Sequence, residues 1–209
     1  MLMKEISKEE LLKYLFRDDI VGRGFFGIVL EYDDNTLIKL YYKNIERTYE
    51  DRNEDLLDEE IEMKKKHLEE IDGYLEYTSP IEEKKNNLLF EIGYLNAVVM
   101  YNGYKIGVLL NYYKDYQKIG LLYDKLSNDE KIIVLNNVKK YLEFLISKGI
   151  YPNDIWQDNV LVNPENLDVR IIDLDDYMTV IKYNDIVDCH RAEAVVYSSY
   201  NKMIKTLSK

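Results

Sequence analysis

The 209-residue sequence has little of what secreted and membrane-spanning proteins depend on. Its single cysteine, Cys189, cannot form an internal disulfide, so we expect a reducing, cytoplasmic compartment. No apolar run approaches the length of a membrane span, and the first ten residues lack the apolar core of a signal peptide. We therefore expect neither a membrane segment nor a secretory leader.

Acidic residues outnumber basic ones, and there are only two histidines. Lysine and arginine number 28 against 39 aspartate and glutamate, and the net charge of -11 argues against a sequence-independent grip on nucleic acid. Neither His67 nor His190 lies near another histidine or a cysteine at metal-ligand spacing, so no zinc site is predicted. Hydrophobic residues make up 46% and charged residues 32%, which is typical of a folded globular chain.

The segment from residue 151 to 175 is the most informative part of what is present. Asp154 is followed five positions later by Asn159, then by an apolar run, a turn and a second apolar run that ends at Asp173. This order predicts a loop, a strand, a turn and a strand, with the three polar side chains at one edge. A carboxylate that orients a hydroxyl, beside an Asn and an Asp that hold magnesium, suits phosphoryl transfer.

A glycine-rich segment near the N-terminus has matching chemistry. Gly22, Gly24 and Gly27 form G-x-G-x-x-G, and Lys39 lies in the apolar stretch T-L-I-K-L-Y-Y that follows. A Rossmann unit uses a similar triplet but continues into a helix, whereas residues 28–30 here continue into a strand. Glycines let backbone amides close over phosphate, and an ammonium group on a following strand neutralises phosphate charge.

Taken together, these segments resemble the protein-kinase superfamily, whose motifs are G-x-G-x-x-G, V-A-I-K, H-R-D-x-x-x-x-N and D-F-G. The likeness is to minimal, atypical members: small Rio-type or tRNA-modification-associated kinases, with features of aminoglycoside phosphotransferases. It implies an α+β, bilobal protein-kinase-like fold with a strand-rich N-lobe (1–110) and a truncated helical C-lobe (111–209). The cofactors that it implies are ATP and Mg²⁺.

The resemblance also assigns roles residue by residue. Asp154 is implied to be the catalytic group that orients the acceptor hydroxyl, with Asn159 and Asp173 as magnesium ligands. Lys39 is implied to contact the α- and β-phosphates. The glycines Gly22, Gly24 and Gly27 are implied to cover the phosphates.

Two further site assignments follow from the resemblance. A Glu on an acidic helix predicted for residues 54–77 should pair with Lys39, and Glu60 is our choice because of its E-I-E-M context. Backbone groups near Asn111 and Tyr113, at the predicted hinge, should bind an adenine ring. The alternatives to Glu60 are Glu59, Glu62 and, on a possible second helix after residue 79, Glu83.

Other patterns predict the remaining elements. Ser7 and Ser127 each begin a capping box, and Gly149 should end the helix that Ser127 begins. Residues 88–113 are predicted as strands with a hairpin turn at 101–104, and residues 184–207 as a final helix. The helix that Ser127 begins carries the apolar residues Ile132, Leu135, Val138, Leu142, Leu145 and Ile146.

The chain departs from the kinase motifs at several positions. Pro152-Asn153 replaces His-Arg, Trp156 replaces a Lys of Ser/Thr kinases, and Leu174-Asp175 replaces Phe-Gly. Asp175 and its neighbour are candidates to extend the metal site. Only 36 residues (174–209) follow Asp173, which is few for a peptide-binding platform.

These observations favour an ATP-dependent phosphotransferase acting on a hydroxyl, with a protein as substrate or partner. One alternative is a pseudokinase that binds nucleotide or serves as a scaffold. The other is a small-molecule kinase.

Overall fold

The structure is a computed structural model that describes residues 2–15, 17, 19–23, 27–41, 80–101, 104–175, 180–181 and 189–208. The chain divides into two compact units, Met1–Tyr112 and Tyr113–Lys209. The lobe boundary predicted from the sequence came after residue 110, and the boundary between the two units comes after Tyr112. The acidic helix predicted for residues 54–77 lies outside the described residues.

A mixed six-stranded sheet forms the centre of the first unit, in the order β1-β5-β6-β4-β3-β2. Each neighbouring pair is antiparallel except β1 and β5, which run parallel with Met3 opposite Val98. The hairpin predicted at residues 101–104 is confirmed, because β5 and β6 flank it. The strands are β1 (Met3–Glu5), β2 (Ile20–Arg23), β3 (Gly27–Asp33), β4 (Thr36–Tyr41), β5 (Leu95–Tyr101) and β6 (Tyr104–Asn111).

The first helix, α1 (Lys8–Leu15), covers one face of this sheet. Its predicted capping box is confirmed: the Ser7 backbone N–H donates to the Glu10 carboxylate at 2.9 Å, and the Glu10 N–H donates to Ser7 Oγ at 3.1 Å. Leu11 and Tyr14 of α1 then pack with buried strand residues into one apolar core. The strand members of this core include Ile28, Leu30, Ile38, Leu40, Val99 and Leu109.

The prediction of strands from residue 88 onward is wrong for the first part of that stretch. Helix α2 (Pro80–Glu91) continues through it, and β5 begins only at Leu95. The apolar run Leu88-Leu89-Phe90 fits a strand or a buried helix equally well by periodicity, and here it belongs to the helix. Gly93, with φ of +69°, ends α2: its N–H bonds to the Phe90 carbonyl and the Tyr94 N–H to the Leu89 carbonyl.

The second unit combines helices with short strands. Its helices are α3 (Ile119–Leu122), a 3₁₀ turn (Tyr123–Lys125), α4 (Asn128–Ser147) and α5 (Cys189–Leu207). Its strands are β7 (Gln117–Lys118), β8 (Ile150–Tyr151), β9 (Val160–Val162), β10 (Val169–Ile171) and β11 (Val180–Ile181). They form a three-stranded sheet, β10-β9-β7, and a β8-β11 pair.

The predicted ends of α4 are confirmed. Ser127 and Glu130 form a reciprocal capping box, and Gly149 follows the helix with φ of +76°. Among the apolar residues of this helix, Ile132 is 59% exposed. Ile132 precedes buried Val134 by two residues, and two residues correspond to about 200° around a helix. The buried stripe consists of Val134, Val138, Leu142 and Leu145.

The C-terminal helix α5 belongs to the second unit. Its buried residues are Ala192, Val196, Tyr200 and Met203. Its predicted start at residue 184 lies outside the described residues. Within the part of the chain that the structure describes, no helix combines the length and the apolar character needed to cross a membrane.

Two substitutions in α4 test this assignment of its faces. Leu142→Ala should lower the free energy of unfolding by about 2–5 kcal/mol, because Leu142 is fully buried. Ile132→Ala, on the exposed side of the same helix, should change it by less than about 0.5 kcal/mol. Urea unfolding followed by circular dichroism measures both. Equal losses for the two variants would contradict the assignment.

Candidate functional site

The β9–β10 hairpin supports the polar residues of the 151–175 segment. Val162 pairs with Val169 and Val160 pairs with Ile171. Its turn is held locally: Asn163 Oδ1 accepts from the Glu165 N–H at 2.9 Å, and the Leu167 N–H donates to the Asn163 carbonyl at 2.8 Å. The loop, strand, turn and strand predicted from the sequence are all present.

Two of the candidate residues lie at the open end of this hairpin. The Ile172 N–H donates to the Asn159 carbonyl at 2.9 Å, which continues the pairing one step beyond the strands. Asn159 therefore begins one strand where Asp173 follows the other. Asp173 has φ of +63°, in the left-handed region that non-glycine residues seldom adopt. Such backbone conformations cluster at functional sites, where the surrounding structure enforces them.

Asn159 also connects the hairpin to Asp154. Its Nδ2 donates to the Asp154 carboxylate at 3.0 Å and to the Asp154 backbone carbonyl at 3.2 Å. Its backbone N–H donates to the Trp156 carbonyl at 3.0 Å, which closes the intervening loop. Asp154 is exposed, and Asn159 Oδ1 takes no part in the three bonds just described. The second unit thus brings Asp154, Asn159 and Asp173 to one end of the hairpin.

The residues after Asp173 turn inward. Leu174 is fully buried and Asp175 is only 8% exposed, so Asp175 is a buried, partnered carboxylate. Its neighbour at position 176 lies outside the described residues. Among the described residues, no group of three or more His, Cys, Asp and Glu side chains could hold a metal ion. An Asn–Asp pair fits magnesium when nucleotide phosphates and water complete the shell, which is the usual Mg²⁺ arrangement.

Lys39 lies in the middle of the first unit's sheet. It pairs with Val29 of β3 and Val108 of β6, and its side chain is only 7% exposed. Successive residues of a strand point to opposite faces of the sheet, so Lys39 lies on the face opposite core residues Ile38 and Leu40. Its Nζ is 5.8 Å from the centre of the Tyr41 ring. A lysine this buried is uncommon and has partners in the structure.

The glycines of the predicted phosphate loop occupy different surroundings. Gly22 lies in β2 and Gly27 begins β3, while Gly24 lies outside the described residues. A Cβ at Gly27 would overlap the Leu40 carbonyl oxygen. At Gly22 the nearest atom would be Val29 Cβ at 3.8 Å, which is an ordinary contact. Packing alone therefore requires glycine at position 27 but not at position 22.

The candidates to pair with Lys39 lie outside what the structure describes. This holds for Glu60, Glu59 and Glu62, whose segment is outside the described residues. Glu83 lies within α2, and its side chain also lies outside the described part.

The two hinge candidates engage other groups through their side chains. Asn111 ends β6, where its Nδ2 donates to the Gly93 carbonyl at 2.6 Å and its Oδ1 accepts from Asn96 at 2.9 Å. Tyr113, the first residue of the second unit, stacks edge-on against Tyr116 with ring centres 5.3 Å apart. The adenine role proposed for this stretch concerns backbone groups and stays a prediction.

Sequence reasoning missed a cluster around Arg170 at the turn end of the hairpin. The guanidinium lies 5.8–6.0 Å from the ring centres of Tyr113, Tyr116 and Tyr141, and it pairs with Asp168 at 2.7 Å. Burial, and the hydroxyl hydrogen bond to Asp168, raise the pKa of Tyr116 to about 12, so Tyr116 stays a neutral donor. No spacing in the sequence relates these residues, since they come from a loop, a helix and a strand.

Two glycine substitutions separate packing from any role in ligand binding. Gly27→Ala should lower the free energy of unfolding by about 1–3 kcal/mol, because its Cβ would overlap the Leu40 carbonyl. Gly22→Ala should cost less than about 0.5 kcal/mol. Thermal and urea unfolding measure both variants. A Gly27→Ala protein as stable as the parent would contradict the packing requirement.

Comparison of the chain with known protein families and curated proteins identifies no family for it. No protein-family model matches the chain, and no curated protein matches it. A functional assignment therefore depends on the residues and contacts described above.

Proposed function

We propose that the chain is an ATP-dependent phosphotransferase with a bilobal, protein-kinase-like fold. The acceptor is a hydroxyl, and a protein is the acceptor that we favour. The observation that carries the proposal is the Asn159 side chain, which donates to Asp154 while Asn159 pairs with the strand leading to Asp173. A carboxylate, an amide and a second carboxylate thus occupy one hairpin end, as phosphoryl transfer needs.

Asp154 acts on the acceptor in this proposal. Its carboxylate accepts a hydrogen bond from the acceptor hydroxyl and aligns the oxygen for attack on the γ-phosphorus of ATP. A P–O bond to the acceptor forms, the P–O bond to ADP breaks, and the hydroxyl proton passes to the carboxylate and then to water. The Asn159 hydrogen bond to Asp154 Oδ2 fixes the carboxylate orientation and leaves the other oxygen for the acceptor.

Asn159 Oδ1 and the Asp173 carboxylate would hold magnesium. Their oxygen donors match the hard ligands that Mg²⁺ prefers, and the ion would neutralise charge on the β- and γ-phosphates. The left-handed backbone at Asp173 turns the chain sharply at this point and sends buried Leu174 inward.

Lys39 and the glycine segment would contact the nucleotide phosphates. Lys39 already has partners in the structure, and in this proposal its ammonium group would also neutralise charge on the α- and β-phosphates. Gly22 tolerates a Cβ in the described packing, so a requirement for glycine there would point to close approach of a ligand.

A nucleotide-binding module without transfer is the second candidate. The loop sequence P-N-D-I-W favours it, because Trp156 stands two residues after Asp154, where kinases place a cation. Both candidates bind nucleotide. They differ in whether Asp154 affects the rate of phosphate transfer from ATP.

Nucleotide binding is tested by thermal unfolding with millimolar ATP and MgCl₂. ATP with magnesium should raise the melting temperature, because a ligand specific for the native state stabilises it by about 2.7 kcal/mol at 100 times its Kd. Asp173→Asn should remove most of the magnesium-dependent part. Asn tolerates the left-handed backbone, so this variant keeps the fold.

The matched control is Asp158→Asn, which removes an exposed carboxylate next to Asn159. It should keep the magnesium-dependent shift. If ATP and magnesium leave the wild-type melting curve unchanged, the nucleotide site is absent.

Asp154→Asn separates enzyme from binding module. Asn can still accept the hydrogen bond from Asn159, so ATP affinity and melting temperature should stay close to wild type. Transfer of labelled phosphate from ATP should fall by about 10²–10⁴-fold, the contribution of a positioned acid or base. Equal transfer rates for the wild type and a folded Asp154→Asn protein would refute the catalytic role of Asp154.

A further inference from the structure

A hydrogen bond connects the C-terminal helix to the loop that carries Asp154. Ser199 Oγ on α5 donates to the Asn153 carbonyl oxygen at 2.7 Å in a partly buried environment. This carbonyl belongs to the planar peptide unit that joins Asn153 to Asp154. Fixing the carbonyl therefore fixes the plane from which the Asp154 side chain departs.

Ser199 occupies a position in α5 that an apolar residue would otherwise fill. Val196, Tyr200 and Met203 are buried, and with Ser199 they follow the i, i+3, i+4, i+7 spacing of one helix face. The Tyr200 hydroxyl donates to the Leu135 carbonyl at 3.0 Å, which fastens α5 to α4. Ser199 thus lies on the packed face of α5, and its hydroxyl group bonds to the loop.

The loop needs such a support at Asn153. Tyr151 and Ile155, on either side, are buried, while Asp154 between them is exposed. The Asn153 side chain makes no compensating bond: its Oδ1 is buried and has no hydrogen-bond partner in the described part of the chain. The Ser199 bond thus acts on the backbone just before Asp154, and the Asn159 bonds act on Asp154 itself.

We propose that Ser199 is a positioning residue for Asp154, an inference that rests on the proposed phosphotransferase function. Ser199 does not touch substrate; it holds the 153–154 peptide so that the carboxylate faces the acceptor hydroxyl. Losing the bond should misplace the carboxylate without removing it. A displacement of about 1 Å at a reacting group can cost about 10²-fold in rate.

Three variants distinguish positioning from packing. Ser199→Ala removes the donor and keeps the helix, Ser199→Thr keeps a hydroxyl, and Ser198→Ala removes the exposed neighbouring hydroxyl as a matched control. If Ser199→Ala fails to fold, Ser199→Cys replaces it, since a thiol of similar size is a weak donor.

The first measurement reports the loop and does not depend on activity. Trp156 is the single tryptophan of the chain, lies on this loop and is 40% exposed. Acrylamide quenching of its fluorescence should increase in Ser199→Ala and match wild type in Ser199→Thr and Ser198→Ala. Unchanged quenching in Ser199→Ala would overturn the anchoring of the loop.

The second measurement is phosphate transfer from labelled ATP with magnesium, to the protein itself or to water. Ser199→Ala should lower kcat by about 10- to 100-fold while the KM for ATP changes less than about twofold, and Ser199→Thr should restore kcat. A normal kcat in Ser199→Ala would overturn the positioning role.

The two failures are distinguishable. A wild-type protein that transfers no phosphate would refute the proposed function, and with it the catalytic meaning of Ser199. The quenching comparison would still decide whether Ser199 holds the loop.

Discussion

The carboxamide of Asn159 is the interaction on which the candidate site depends. Its backbone continues the β9–β10 pairing, and its side chain reaches back to Asp154. One residue therefore joins a regular strand pair to an irregular loop, and its donors are neutral N–H groups. A further hydrogen bond between the loop and the hairpin also comes from Asn159, whose backbone N–H donates to the Trp156 carbonyl.

The opposite end of the hairpin is held by different chemistry. There Arg170 lies among three tyrosine rings and pairs with Asp168, so the three-residue strands on either side of the turn gain a rigid base. A guanidinium suits this position because it stacks on rings and donates to a carboxylate at once. Short strands need such anchoring, because three-residue strands bury little apolar surface by themselves.

Local patterns predicted local structure well. The capping boxes at Ser7 and Ser127 and the C-terminal glycine at position 149 formed as expected, since each depends only on neighbours within a few residues. The 151–175 hairpin was predictable for the same reason, and so was the meeting of Asp154, Asn159 and Asp173 at one end. The Ser199 contact was not, because Asn153 lies 46 residues away in the chain. The strand prediction near Leu88 was wrong because a short apolar run fits either a strand or a buried helix, and tertiary packing decides between them.

The parallel pairing of β1 with β5 has a consequence for how the first unit is made. Met3 and Val98 are partners, so the sheet joins the start of the chain to a strand almost a hundred residues later. Non-local pairs of this kind form late, because loop-closure entropy must be overcome before the contact stabilises the fold. During synthesis from the N-terminus, β1 must wait until β5 has left the ribosome. The first unit should therefore complete its sheet only after β6, which ends at Asn111, has also been synthesised.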